Sequence, residues 1–177
     1  MPGLADPERA AKLEYYKKFL GPLGIGLAVI AIGLGVMFYM QRGAHVELRG
    51  SVLKVRTAEL DENSSVAVID FRFVNPADVP FVVRTVDVTM EGKDGNISQG
   101  VAVSEIDAKS LFQYYPLLGQ KFNDSLLMRD KIPGRKAEDR MIAARFDMPV
   151  AKLETRKTFR IRIEDVDGPV SEVVEKP

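Results

Sequence analysis

Residues 66–74 read Val-Ala-Val-Ile-Asp-Phe-Arg-Phe-Val. Successive side chains of an extended chain point to opposite faces. Ala67, Ile69, Phe71 and Phe73 therefore share one face, and Asp70 and Arg72 share the other. The alternation predicts a half-buried antiparallel strand, apolar towards a core and polar towards water. Asn75-Pro76-Ala77-Asp78 stops it, because proline holds the residue before it out of the helical region and this composition favours a turn.

Working outward, the same texture continues on both sides. His45–Ala58 alternates in two phases around Gly50, which predicts a strand with a bulge or bend there. Leu60–Ser65 reads as a turn. Val79–Met90 predicts a second strand, with Val82, Val86 and Val88 opposite Thr85, Asp87 and Thr89. Glu91–Asn96 predicts a hairpin turn, since Asp94-Gly95 supports positive φ, and Ile97–Val103 returns as a strand. Further on, strands are expected at Ser125–Arg129, Arg140–Met148 and Thr158–Val166, with turns at 130–134 and Asp167-Gly168-Pro169. Pro149–Lys157 is a connection with room for one helical turn, and Val170–Val174 suits an edge strand. About seven short strands at this spacing predict a mainly β fold, an immunoglobulin-like antiparallel β-sandwich over 45–174.

One short helix interrupts the strands. Ser104-Glu-Ile-Asp107 has the form of a capping box, and Leu111, Phe112 and Tyr115 follow at helical spacing until Pro116. Phe112, Tyr114, Tyr115 and Phe122 form the candidate interaction surface, because aromatic side chains are enriched at interface cores and membrane surfaces. The competing expectation is that the helix caps one open end of the sandwich and buries them. Tyr114 lies off the Leu111–Tyr115 face and is expected to be the exposed member.

A different texture precedes all of this. Phe19–Met40 (FLGPLGIGLAVIAIGLGVMFYM) contains no charged residue. Such a run spans the roughly 30 Å of a bilayer core as a helix, the one single-segment structure that satisfies its own backbone in lipid. A cleaved signal peptide has a shorter apolar region, and Gln41 and Arg42 spoil the cleavage pattern before Gly43-Ala44. The expected organisation is a short tail over 1–18, a transmembrane helix over 19–40, with Gly21-Pro22 in its first turn, and the domain over 45–174. In the tail, Asp6-Pro7 suits the start of a helix. Arg9, Lys12, Lys17 and Lys18 precede the run, which favours a cytoplasmic N-terminus and an extracytoplasmic domain. Gly24, Ala28, Ala31 and Gly35 line one helical face, the candidate contact for a homo-oligomer, although no Gly-x-x-x-Gly pair is present.

Composition narrows the chemistry. Lys plus Arg and Asp plus Glu balance at 25 each, so nothing marks a nucleic-acid footprint. The absence of cysteine rules out disulfides, thiolate metal sites and cysteine nucleophiles, and the one histidine, His45, sits beside the apolar run as an interfacial residue. Asp165-Val-Asp167-Gly168 has a calcium-loop flavour but lacks the further ligands, and Asp61-Glu62-Asn63 reads as a solvated turn. The glycines at 21, 24 and 26 follow no strand, so they make no phosphate loop. No catalytic residue, cofactor or metal is expected.

The alternating strand before Asn75-Pro76, Pro80 opening a valine-rich strand, and the later Ile132-Pro133-Gly134 loop resemble the late-embryogenesis-abundant type 2 domain, also called the water-stress and hypersensitive-response domain. The resemblance covers about residues 46–166 and rests on a few turn positions. The helix over Asp107–Tyr115 is larger than that family leads one to expect. The resemblance implies a sandwich behind a membrane anchor and a role in binding, membrane association or stress protection, with no catalytic residues to carry over. An unrelated membrane-anchored bacterial domain is equally compatible. The expected function is non-enzymatic binding, or else accessory structural service in a membrane or envelope complex. A ligand-binding enzyme is the disfavoured alternative.

Overall fold

The computed structural model describes residues 7–41 and 47–176. The chain divides into two units, Met1–His45 and Val46–Pro177. In the first, helix α1 runs from Pro7 to Gln41, with Leu20–Phe38 long and apolar enough to cross a membrane and its side chains exposed. This fits a single-pass membrane anchor. Pro7 is the first helical residue, as its sequence position predicts, whereas Asp6 and His45 lie outside the described residues. Pro22 is not in the first turn, because the helix has already started at Pro7 and continues through it.

The second unit is built from β1 (Arg49–Asp61), β2 (Ser64–Val74), β3 (Phe81–Glu91), β4 (Ile97–Ala102), α2 (Glu105–Tyr114), β5 (Lys131–Ile132), β6 (Ala137–Phe146), α3 (Val150–Glu154), β7 (Thr158–Asp165) and β8 (Val170–Val174). The strands are antiparallel in the order β1-β2-β6-β4-β3-β7-β8, with β5 beside the start of β3. Strand β4 makes the corner. Its residues Ile97–Gly100 pair with Glu91–Val88 of β3, while Val101 and Ala102 pair with Arg145 and Ala144 of β6. The sheet curls there, so its two halves face each other in a sandwich-like arrangement.

The curl brings the outer strands together. The Leu48 N–H donates to Ser171 Oγ at 2.7 Å. Gly50 stands so close to β8 that a Cβ would lie 2.7 Å from Val173 Cγ2. Between the halves lie Ile69, Phe71, Phe73, Phe81, Phe146, Phe159, Ile161 and Ile163, all fully buried. Phe146 and Phe159 meet across the core in a tilted pair with centroids 5.7 Å apart, an arrangement aromatic quadrupoles favour. Each such side chain stabilises the fold by roughly 1.5–3 kcal/mol through burial.

Several sequence expectations hold. Gly95 has φ +81° in the 91–96 turn, Ser104 caps α2, α3 supplies the helical turn in 149–157, and β8 is an edge strand. Others need correction. Strand β2 is buried on both faces from Ser64 to Phe71, not half-buried, because α2 and Leu118 cover Val66 and Val68 on its outer side. The first bulge in β1 falls at Leu53, between Val52 and Lys54, while Gly50 stays in register with Phe73. The turn after β1 is only Glu62-Asn63, since pairing continues to Asp61 and resumes at Ser64.

In β3 the phase changes at Arg84, where the register with β7 slips. The inward set is consequently Phe81 and Val83, then Val86, Val88 and Met90, as expected for Val86 and Val88, whereas Val82 lies off it. No strand forms over 125–129: Ser125 alone makes a parallel bridge to Met141, and Arg129 takes φ +69°. Lys131–Ile132, expected as turn, pairs with β3 as β5.

Gly100 tests the corner. A Cβ there would stand 2.6 Å from Phe146 Cζ and 3.0 Å from Ala144 Cβ. Gly100→Ala is expected to lower the unfolding free energy by about 1–3 kcal/mol, the usual range for overpacking, read as a shifted urea midpoint. An unchanged midpoint contradicts the tight corner.

Candidate interaction surface

The α2 surface is built on a buried charge pair. Arg56 in β1 and Asp70 in β2 are diagonal neighbours on the outer face of the sheet, since Arg56 pairs with Val68 and Lys54 with Asp70. The Arg56 NH2 group donates to Asp70 Oδ2 at 2.6 Å, and the two side chains are 7% and 4% exposed. The other terminal nitrogen of Arg56 donates to the carbonyls of Leu118 and Gln120 at 2.6 and 2.7 Å. Asp70 Oδ1 accepts from Asn123 Nδ2 at 2.8 Å. The guanidinium also lies 5.0 Å from the Phe112 ring centre and 5.4 Å from that of Phe122. Residues 112–123 are thus gathered around one cation.

Local sequence explains how the segment gets there. Ser104 Oγ accepts from the Asp107 N–H at 3.2 Å and donates to its carboxylate at 2.7 Å, so α2 begins where the capping pattern places it. Pro116 cannot continue an α-helix and instead opens a 3-10 turn, Pro116–Leu118. Gly119 follows with φ +70°, which lets the chain double back over β1. Ala108 and Leu118 bury themselves against Ala58, Val66, Val68, Met141 and Ala143, with Leu111, Phe112 and Tyr115 partly buried around them.

Of the four aromatic residues singled out in the sequence, Phe112 and Tyr115 lie half-buried, whereas Tyr114 is 78% and Phe122 63% exposed. Leu117, not singled out, is 90% exposed. A groove of about 580 Å³ runs beside α2, with Val66, Val101, Leu111 and Tyr114 along it and Asp107 and Arg145 at its rim.

A second polar cluster anchors the start of α2. Lys121 Nζ lies 2.7 Å from Glu105 Oε1 and 3.4 Å from Asp124 Oδ1. Partial burial alone would raise the Glu105 carboxyl, but the hydrogen bond and charge of Lys121 outweigh it and hold the group at about 2. Among the described residues no three His, Asp or Glu side chains gather to hold a metal ion. Asp165-Val166-Asp167-Gly168 is a β-turn, in which the Gly168 N–H donates to the Asp165 carbonyl and Gly168 has φ +99°.

The Arg56–Asp70 pair escaped the sequence reading. Its signal is Asp70 inside the apolar run of β2, which alternation assigns, with Arg72, to solvent.

No protein-family model matches the chain, and no curated protein matches it. Among solved structures, the archaellum periplasmic stator protein FlaG from Sulfolobus acidocaldarius is similar at a TM-score of 0.34 and 9% identity, over 72% of this chain and 98% of that one. A chain of the FlaF–FlaG complex from the same organism gives 0.33 and 12%, over 71% and 86%. The Northeast Structural Genomics Consortium target SoR45 gives 0.33 and 12%, over 75% and 81%. These likenesses are too distant to transfer a role, so the function has to be read from the chain's own residues.

Two outcomes are expected. Asp70→Ala, which strands the Arg56 charge, should cost about 3–5 kcal/mol in urea unfolding, while the double change Arg56→Met with Asp70→Leu should recover most of that loss. Glu105 has a folded-state value below its ordinary 4.5, so its contribution is present above pH 4.5 and lost as pH falls towards about 2. Stability measured across that window should fall more steeply for the wild type than for Glu105→Gln.

Proposed function

We propose that this chain is a non-enzymatic, single-pass membrane protein whose β-domain binds a protein partner through the α2 surface. The observation that carries the reading is the combination on one cap. Tyr114, Leu117 and Phe122 are exposed, yet the segment bearing them is fastened to the sheet by a buried ion pair. A surface ordered in advance loses little conformational freedom on binding, and aromatic side chains supply much of the energy of such contacts. One histidine and no cysteine leave few routes to nucleophilic or imidazole chemistry, which supports a binding role over an enzymatic one. The partner is a membrane or envelope protein, with the chain as its accessory subunit. The helix face of Gly24, Ala28, Ala31 and Gly35 offers a contact for a second copy in the bilayer.

The stress-related alternative, with its immunoglobulin-like and late-embryogenesis-abundant type 2 character, draws on a specific packing. Asn75 Nδ2 donates to the carbonyls of Val79 and Ile132 at 2.9 and 3.2 Å, and its Oδ1 accepts from the Ala77 N–H. A Cβ on Gly134 would meet the Asp78 carbonyl at 2.6 Å. The two turn motifs that carry that resemblance therefore form one structural unit.

Tyr114→Ser with Leu117→Ser changes only exposed side chains, so the melting temperature should stay within a few degrees. The complex isolated in mild detergent should shrink to the free chain, and retention of the full complex would refute the reading. For orientation, the cysteine-free chain takes single cysteines at Asn96 and Ala5. In intact cells an impermeant maleimide should label Asn96→Cys and spare Ala5→Cys; the reverse pattern places the domain in the cytoplasm.

A further inference from the structure

The end of the β-domain at which the chain enters carries exposed basic and apolar side chains together. Arg49 of β1 pairs with Val74 of β2, and Val74 with Ala137 of β6. Phe81 of β3 pairs with Ile132, Val83 with Asp165 of β7, and Glu164 with Val170 of β8. The loops 75–80, 127–136 and 166–169 consequently share one end with the entry point at Glu47–Arg49. At that end Val79 is 52%, Met128 68% and Val166 48% exposed. Arg49, Arg129, Lys131 and Lys136 are exposed and make no ion pair among the described residues.

The nearby acids are mostly occupied. Asp78 is engaged by Arg135 at 2.7 Å, Asp139 by Arg72 at 2.6 Å, and Glu138 by Arg140 at 2.7 Å. Asp130 accepts the Leu127 N–H at 2.9 Å and keeps its charge, with no cationic partner among the described residues, and Asp165 is buried. Glu47 and Asp167 are the remaining exposed acids there. The opposite end has turns at Glu62-Asn63 and Lys93–Asn96, with Ile97 and Val101 as exposed apolar side chains near them.

We propose that this entry end docks on the headgroups of an anionic bilayer, with Arg129, Lys131 and Lys136 on phosphate and Val79, Met128 and Val166 at the interface. The inference rests on the membrane-anchor reading and adds a lipid contact to it. Covalent connection supports this occupant over a soluble one. From Gln41, the end of α1, to Glu47 is six residues, at most about 22 Å of chain. The far end lies a further ~33 Å along strands of ten residues such as β6. A bilayer holding the helix is thus within reach of the basic end, and its negative surface complements the unpaired cations.

The test uses the full chain in nanodiscs of phosphatidylcholine with or without phosphatidylglycerol. Single cysteines at Met128, Asn96 and Ile30 carry an environment-sensitive fluorophore, and lipid-borne quenchers read its depth. The expected result is shallow quenching at Met128→Cys in anionic discs, none at Asn96→Cys, and deep quenching at Ile30→Cys. Changing Arg129, Lys131 and Lys136 together to glutamine should weaken docking on the order of 100-fold, from about fivefold per basic residue at an anionic surface. Equal quenching in neutral discs, or no effect of the triple change, overturns the proposal. So does an unquenched Met128→Cys with Ile30→Cys quenched, which leaves the anchor intact. An unquenched Ile30→Cys removes the anchor and the proposal with it.

Discussion

The Arg56–Asp70 pair is the constraint on which the outer layer of the domain depends. A guanidinium this deeply buried is tolerable only if its donors are met, because an unpaired buried charge costs several kcal/mol. Here both terminal nitrogens are met, by one carboxylate and by the carbonyls of Leu118 and Gln120, while Nε is buried without a partner and Asn123 takes the second carboxylate oxygen. Three of these partners come from a stretch with no strand of its own. The segment 115–123 is therefore held by one cation in the sheet, helped by apolar burial of Leu118, and of Ala108 in α2.

That dependence links packing to the proposed role. Without the cap, Val66 and Val68 would lie open and β2 would be the half-buried strand its alternation predicts. With it, β2 is enclosed on both faces, and apolar exposure is moved outward to Tyr114, Leu117 and Phe122. The domain shows two exposed apolar regions of different character. The α2 cap is aromatic and pinned to the sheet, as suits a protein contact. The entry end mixes aliphatic and basic side chains, as suits a headgroup layer.

Much of the fold was legible in the residues because period and turn chemistry are local. Phe159, Ile161 and Ile163 alternate with Arg160 and Arg162, Asp94-Gly95 supplies a left-handed turn, and Ser104 with Asp107 caps a helix. What was not legible depends on tertiary pairing. The bulges at Leu53 and Arg84 shift phase only once β2 and β7 are in place. Gly50 looks like a bend, and its actual constraint is the approach of Val173 from the far edge of the sheet. Asp70 looks solvent-facing until Arg56 and the cap are assembled over it. The segment 125–129 looks like a strand by composition, but β6 offers it one bridge and β3 takes the residues after it. Among the candidate surface residues, the helical phase placed Tyr114 outside, while the exposure of Phe122 depends on where the loop closes on Arg56.

Native-state hydrogen exchange of Asp70→Asn against the wild type tests the central claim most directly. The substitution keeps the shape of the side chain and removes its charge. If the buried pair holds the cap, amides of α2 and the Pro116–Leu118 turn should lose protection first, while β3, β7 and β8 keep theirs. Uniform loss across the sheet, or unchanged protection of α2, would contradict an outer layer held by that pair.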